Sequence, residues 1–345
     1  MSGAELRTSM EIPFYNANDP LPNNPLITLL CETFFVHLGC NFPFLQRDRF
    51  LKDLEEKRVD AILVDAVCAI AARFSNHPLL STLNEQSGAD AIEVEGEVRK
   101  SVHGQPFAQR AMSAVVETFS CPTMAVVQAS LLLAYEEFGS NRDSGLWMYL
   151  GIAIRMAQDL GMQKLEGLKF EGRTGPTPKT AKSGEAGKQE EKRREAALRA
   201  SKRQNELDPS MVEDQIASER ERIDTFWAVF FLDRVISSGT GRPVTLRDKD
   251  IEISFPSDDS TDGWPAPFPP LIRVIHLYGR VTDILNNIKE VNHVTLETLK
   301  KLASLESDLT GKAYHVLLKR PDILNYLNAP QVFTNDCLPN CTSMP

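Results

Sequence analysis

The segment from Pro122 to Gly161 restricts the fold more strongly than any other part of the sequence. Pro122 is suited to open a helix, Gly139 ends it, and Asp143 or Ser144 can cap a second helix that ends at Gly161. Both helices carry apolar side chains on nearly every face, and such helices are typical of a protein core. Their link is short, so they are antiparallel neighbours. The segment therefore predicts a helical hairpin inside an all-α fold.

Further helix signals lie on both sides of this hairpin. Asn24 can cap a helix with Pro25 at its first position, and Ser218 with Glu221 has the capping-box spacing ahead of an aromatic helix. Together with helical periodicity, these signals predict helices at 24–39, 60–74, 92–119, 218–238, 271–290 and 295–310. The sequence shows no alternating strand pattern of useful length and no repeat of fixed period. We therefore expect an all-α protein, a multi-helix bundle of antiparallel helical hairpins with a disordered insertion.

The insertion is predicted from a sharp change in composition. Residues 171–204 contain ten Lys and Arg and five Glu, and Leu198 is their only large apolar residue. Such a segment cannot bury a core. The predicted domains are a flexible N-terminal arm at 1–23, the first half of a helical domain at 24–165, a disordered basic insertion at 166–217, the second half of the helical domain at 218–325, and a flexible tail at 326–345.

Charge and cysteine content narrow the class of protein. The net charge of −9 and the pI near 5.3 weigh against a free-standing nucleic-acid binder, which usually has a basic excess. Six cysteines without dense pairing favour a reducing compartment. The sequence has neither a signal-peptide pattern nor a run of 18 apolar residues, so we expect no membrane association and a soluble intracellular protein.

The sequence contains no recognisable group of catalytic or metal-binding residues. The common nucleophile, phosphate-binding and zinc-protease motifs do not occur, and the six histidines are scattered. Cys337 and Cys341 have a permissible ligand spacing, but no second pair completes four ligands. Glu136 and Glu137, at a helix end, are interpreted as solvated surface. We therefore expect no enzyme, no cofactor and no metal ion in this chain.

Charged residues inside apolar helices are the candidate regulatory residues. Arg155 lies in the second helix of the hairpin, Asp233 and Arg234 close the aromatic helix, and Arg242 follows in a turn. A charge at such a position is costly unless it is paired. One interpretation is an ion pair that fixes helix register. The other is that Arg234 or Arg242 contacts an anionic effector or a partner.

Two basic clusters within the insertion are candidates for a nuclear import signal. They are Lys192, Arg193 and Arg194, followed by Lys202 and Arg203. Their spacing matches a bipartite signal and would also attract nucleic acid weakly. The alternative is a solvated, charged linker.

Three stretches together resemble the fungal transcription factor regulatory domain, also called the middle homology region or the xylanolytic transcriptional activator regulatory domain. The first is FPFL at 42–45 with AVCAIAARFS at 66–75, and the second is VQASLLLAY at 127–135 with WMYLGIAIRMAQDLG at 147–161. The third combines ERER at 219–222, TFW at 225–227, LDR at 232–234 and GRP at 241–243. The stretches occur in the order of the family and cover about residues 26–290.

The resemblance implies the regulatory domain of a nuclear zinc-cluster transcription factor. In that family a separate N-terminal binuclear zinc cluster with six closely spaced cysteines contacts DNA, and no such cysteine run precedes residue 26 here. The implied partners are therefore DNA only through a zinc cluster missing from this sequence, the transcription machinery or co-regulators, a small-molecule effector, and a second copy in a homodimer. The alternative is a non-catalytic helical scaffold or small-molecule-binding protein outside transcription.

Overall fold

The computed structural model describes residues 12–81, 102–165, 209–256, 267–288, 290 and 293–319, and these residues form helices and loops without a β-strand. The all-α prediction is confirmed. In chain order the α-helices are α1 (Pro25–Leu38), α2 (Arg47–Glu55), α3 (Ala61–Ala71), α4 (Pro78–Ser81), α5 (Gln105–Glu117), α6 (Met124–Gly139), α7 (Asp143–Asp159), α8 (Pro209–Thr240), α9 (Phe268–Asn286) and α10 (Leu296–Lys319).

Local capping accounts for several of these bounds. The Asn24 side chain accepts a hydrogen bond from the backbone N–H of Leu26 at 2.9 Å, and Thr123 accepts one from Val126 at 3.3 Å. Each bond satisfies one of the N–H groups that the first turn of a helix leaves without a partner. The predicted starts of α1 and α6 are therefore confirmed to within two residues.

The chain divides into two compact units. Unit 1 comprises Met1–Gly39 and Leu45–Met156, and unit 2 comprises Cys40–Phe44 and Ala157–Pro345. In unit 1, α3 packs against α1, α5 and α6, and every α3 residue from Ile62 to Ala71 is buried. Gly104 permits the close approach of the α5 start, since a Cβ there would lie 2.0 Å from the carbonyl oxygen of Ala69. The prediction of a buried helix at 60–74 is confirmed.

Unit 2 is built on α8, which packs against α9, while α9 packs against α10. Phe226, Trp227 and Phe230 of α8 are buried, and the Trp227 ring stacks on Phe255 with 4.8 Å between the ring centres. The indole N–H of Trp227 donates to the carbonyl of Ser254 at 2.9 Å. The aromatic face of this helix therefore forms part of the core, as its sequence pattern indicates.

The start of α8 differs from the prediction. The helix begins at Pro209 rather than at Ser218, and it continues to Thr240, where Gly241 takes a left-handed φ of 66°. Proline is favoured at a first helical position because no backbone donor is needed there. The residues from Glu213 to Ile216 are exposed, so this part of α8 lacks the apolar stripe on which the prediction relied.

Where the structure describes them, the residues before α1 pack against other parts of unit 1. Tyr15 is 2% exposed, and the amide of Asn23 donates to the carbonyl of Leu54 at 2.7 Å. Residues 1–11, 166–208 and 320–345 lie outside the described residues, and with them most of the predicted insertion and all of the predicted tail. The predicted domain boundaries stay predictions.

In the part of the chain that the structure describes, no helix combines the length and the hydropathy that crossing a membrane would need.

Replacing Trp227 tests the aromatic core of unit 2. We expect Trp227→Ala to lower the free energy of unfolding by about 3–5 kcal/mol, since it leaves a cavity and removes the bond to Ser254. The control Phe119→Ala, at a ring that is 53% exposed, should change it by less than about 0.5 kcal/mol. Urea denaturation measures both variants. A loss below about 1 kcal/mol for Trp227→Ala would place the indole outside the core.

Candidate functional site

A buried charged network joins α8 to the loop that follows it. Asp233 is 0% exposed, and its carboxylate accepts hydrogen bonds from the backbone N–H groups of Thr245 at 3.0 Å and Leu246 at 2.9 Å. Burial raises the pKa of Asp233, and the two backbone donors and the Arg234 charge oppose that rise. Asp233 therefore holds the loop against the side of helix α8 through these two hydrogen bonds.

Arg234 holds the same loop from the next position. Its Nη2 donates to the carbonyl of Leu246 at 2.8 Å and to the carboxylate of Asp248 at 2.5 Å. The guanidinium lies over the Phe230 ring, 4.6 Å from the ring centre, which adds a cation–π contact. Its Nη1 is 3.8 Å from a carboxylate oxygen of Asp283, and within the described residues neither Nη1 nor Nε has a hydrogen-bond partner.

Asp248 links this network to α9. His276 of α9 places Nε2 3.0 Å from the second carboxylate oxygen of Asp248. Burial raises the pKa of Asp248, but the hydrogen bond with His276 and the positive charge of Arg234 outweigh burial, so the pKa is lowered overall. The carboxylate is therefore ionised at neutral pH, as a partner of buried Arg234 must be.

A glycine of α9 makes room for the arginine. A Cβ at Gly279 would lie 2.7 Å from Cδ of Arg234, closer than side-chain carbons approach each other. Gly279 is itself buried. The arginine stem therefore packs directly against the α9 backbone.

The four predicted regulatory residues have different environments in the structure. Asp233 and Arg234 lie inside helix α8, at 0% and 2% exposure, and do not form its exposed end. Their contacts match the interpretation of an ion pair that fixes the structure. Arg242 is exposed just after Gly241, on the turn that leads into the loop bound by Asp233 and Arg234.

Arg155 differs from its predicted environment. It belongs to unit 1 and is exposed, not embedded in the apolar part of α7. Met148, seven residues earlier and therefore on the same face of the helix, is 63% exposed. The prediction assigned apolar side chains to nearly every face of this helix and so missed the solvent-facing stripe.

The interpretation of Glu136 and Glu137 as solvated surface is wrong. Glu136 is 0% and Glu137 6% exposed. Glu136 pairs with Arg73 and accepts from the Ser140 hydroxyl at 3.1 Å, while Arg142 binds both carboxylate oxygens of Glu137 at 3.0 Å. Burial raises the pKa of Glu136, and the contacts with Arg73 and Ser140 oppose the rise. The end of α6 is covered by these cations, which the local sequence does not show.

Sequence reasoning missed Asp248 and His276. They stand 28 positions apart, in a 3-10 turn at Asp248–Asp250 and in the middle of α9, and neither belongs to a known local motif. The only available signal was the need of a buried Arg234 for a carboxylate partner. The predicted import residues Lys192, Arg193, Arg194, Lys202 and Arg203 lie outside the described residues.

The cysteines of the described residues do not form a zinc cluster. Cys31 and Cys68 are buried, whereas Cys40 and Cys121 are exposed. Among the described residues no group of three or more His, Cys, Asp and Glu side chains is arranged to hold a metal ion. These residues therefore do not supply the ligands of a binuclear cluster.

The fold and this network define a helical domain in which charged residues are built into the core. A family model described as the fungal specific transcription factor domain matches residues 31–317. The match covers most of the chain, and the chain belongs to this family. No solved structure matches the chain.

Curated relatives carry transcription-factor names. The Zn(2)-C6 fungal-type transcription factors FTF1c and FTF2 of Fusarium oxysporum f. sp. lycopersici are 26% and 27% identical over 79% and 70% of this chain. An uncharacterized transcriptional regulatory protein of Schizosaccharomyces pombe is 26% identical over 71% of this chain. The chain spans 27%, 18% and 54% of these three relatives, respectively.

The close contact at Gly279 can be tested directly. We expect Gly279→Ala to lower the free energy of unfolding by about 1–3 kcal/mol, because the new methyl group must displace Arg234 from its partners. The matched control is Gly239→Ala in α8, where a Cβ meets nothing within 4 Å. That variant should be unchanged or stabilised by up to about 1 kcal/mol, from helix propensity. Equal effects in urea denaturation would contradict the packing described for Arg234.

Proposed function

We propose that the chain is the regulatory domain of a zinc-cluster transcription factor and acts in the nucleus through contacts with an effector or a co-regulator rather than through chemistry. The observation that carries this proposal is the match of the fungal specific transcription factor domain over residues 31–317. The names of the Fusarium relatives support the zinc-cluster assignment. The proposal assigns zinc to a separate DNA-contacting cluster of the Zn(2)-C6 type that the relatives' names give, and none to the helical domain.

The α8 network supports a specific place for regulatory contacts. Residues 245–248 are tied to the helix by Asp233 and Arg234, whereas Arg242, at the start of the same connection, is exposed. A partner that binds the exposed turn would therefore contact a segment that hydrogen bonds and ion pairs attach to the core helix α8. We propose that a partner or an anionic effector binds at Arg242, while Asp233 and Arg234 transmit that contact without touching the partner.

A reporter assay separates the contact residue from the structural one. The chain is fused to a heterologous DNA-binding module, and reporter output and protein abundance are measured together. Arg242→Ala should change output at unchanged abundance, since an exposed side chain on a turn contributes little to stability. Arg234→Ala should lower abundance, because it leaves Asp233 and Asp248 without their cation at a cost of about 3–5 kcal/mol.

The matched control for charge loss is Arg47→Ala in unit 1, whose side chain is 60% exposed. It should alter neither output nor abundance. An Arg242→Ala protein as scarce as Arg234→Ala would show that Arg242 is structural. A fusion that never alters reporter output would favour the alternative of a helical scaffold or small-molecule-binding protein outside transcription.

The import hypothesis concerns the basic clusters of the 166–217 segment. Replacing Lys192, Arg193 and Arg194 with Ala should reduce nuclear accumulation of a fluorescent fusion, because import signals depend on clustered positive charge. Replacing the dispersed Lys179, Lys182 and Lys188 removes the same charge from the same segment and should leave localisation unchanged. Equal localisation of both triple variants and the parent would remove the import hypothesis.

A further inference from the structure

A cation of α5 holds residues 14–16, which precede α1, against the helices of unit 1. Arg110 Nη2 donates to the backbone carbonyl of Tyr15 at 2.6 Å, and its guanidinium carbon lies 4.7 Å from the centre of the Phe14 ring. Lys57 adds a weaker bond to the carbonyl of Asn16 at 3.4 Å. The Tyr15 side chain is buried. The attachment of residues 14–16 therefore depends on the position of Arg110.

Asp65 of α3 sets that position. Its Oδ2 lies 2.9 Å from Nε of Arg110, and the Asp65 side chain is 2% exposed. The other carboxylate oxygen, Oδ1, has no hydrogen-bond partner among the described residues. Because a buried charge is costly without several partners, the ionised form of this carboxylate depends strongly on Arg110.

Among the described residues, a second titratable group, the Cys68 thiol, also interacts with Asp65. Cys68 lies one turn further along α3 and hydrogen-bonds with Cys31 of α1. Burial and this hydrogen bond raise the pKa of the Cys68 thiol well above its usual value, so Cys68 is neutral near pH 7. Arg110 is therefore the charged group that decides the state of Asp65.

We propose that Asp65, Arg110 and residues Phe14–Asn16 form a pH-responsive clasp, in which loss of the Asp65 charge releases residues 14–16 from helices α3 and α5 of unit 1. The ionised carboxylate holds the guanidinium on the Tyr15 carbonyl. Arg110 is about a third exposed, so once Asp65 is neutral its guanidinium is better solvated outside the contact. The chain that precedes α1 then has greater freedom relative to the helices.

The direction of the pH dependence follows from the Arg110 contact. Burial raises the pKa of Asp65 to about 7, and the Arg110 charge opposes that rise while the clasp is closed. In the proposed open form Asp65 stays buried within the helices packed around α3 and loses only the Arg110 charge, so its pKa is higher in the open form than in the closed form. The closed clasp is therefore favoured above pH 7 and is lost as the pH falls through about 7.

Global unfolding has the opposite pH dependence. In the unfolded chain Asp65 returns to its ordinary pKa of about 3.9, which is lower than in the folded protein. Between about pH 4 and pH 7 the folded protein holds a proton that the unfolded chain does not, so this group makes the fold more stable as the pH falls. Local release and global stabilisation on acidification together distinguish the clasp from general acid destabilisation.

Native-state proteolysis measures the local event. The full chain is digested with a low concentration of chymotrypsin at pH 8 and pH 6.5, and mass spectrometry follows only the cut after Tyr15, normalised to an unstructured peptide. We expect the normalised cleavage rate of the parent protein to rise on acidification, by up to about tenfold per pH unit for one linked proton. An unchanged rate would overturn the proposal.

Variants identify the group. Asp65→Asn should be cut rapidly at both pH values, and so should Arg110→Gln, which removes the clasp while keeping Asp65. The matched control Asp48→Asn, at a side chain that is 92% exposed, should retain the behaviour of the parent protein. If Asp65→Asn does not fold, the parent protein and Arg110→Gln still decide the outcome. Slow cleavage of Arg110→Gln at pH 8, or parent-like pH dependence in folded Asp65→Asn, would overturn the proposal.

Thermal unfolding supplies the second readout. The unfolding temperature of the parent protein minus that of Asp65→Asn should increase when the pH is lowered from 8 to 5. The corresponding difference between the parent protein and Asp48→Asn should stay constant. A relative loss of unfolding temperature on acidification would contradict the environment described for Asp65.

Discussion

The pairing of α8 with its following loop through Asp233 and Arg234 governs the rest of unit 2. Two adjacent charges inside a buried helix face would be strongly destabilising without partners. The backbone N–H groups of Thr245 and Leu246 donate hydrogen bonds to Asp233, and the carboxylate of Asp248 pairs with Arg234. The helix can therefore be buried only if the loop returns to its side. A buried network of this kind selects one chain path more effectively than it adds stability.

Unit 1 also contains buried charged residues that are stabilised by partners of opposite charge. The carboxylate of Glu136 at the end of α6 is buried against Arg73, and Glu137 is bound by Arg142. Glycine again provides the space, since a Cβ at Gly139 would lie 2.1 Å from Nη1 of Arg73. In both units a charged group takes a place in the core where the neighbouring backbone has no side chain. Such positions tolerate small changes of volume poorly.

The sequence predicted what is local and missed what depends on distant partners. Helix α1 was predicted almost to the residue because Asn24 caps it through a bond two residues away. The burial of Glu136 was missed because its partner Arg73 is 63 positions away in the sequence. The exposure of Arg155 was missed because the many apolar residues around it in the sequence indicated a helix that is buried on nearly every face. For the candidate site, Asp233 and Arg234 were identified as unusual, but their partners in the loop and in α9 required the fold.

The two buried aspartates Asp65 and Asp233 show why one buried carboxylate has a fixed structural role whereas another can respond to pH. Burial raises the pKa of both. Asp233 accepts bonds from two backbone N–H groups that cannot leave without unfolding the loop, so its ionised form is held by the backbone itself. Asp65 depends on one guanidinium that is partly exposed and can turn toward water, and its Oδ1 has no partner among the described residues. The number of partners and their mobility, more than burial alone, therefore determine whether a core carboxylate responds to a change in pH.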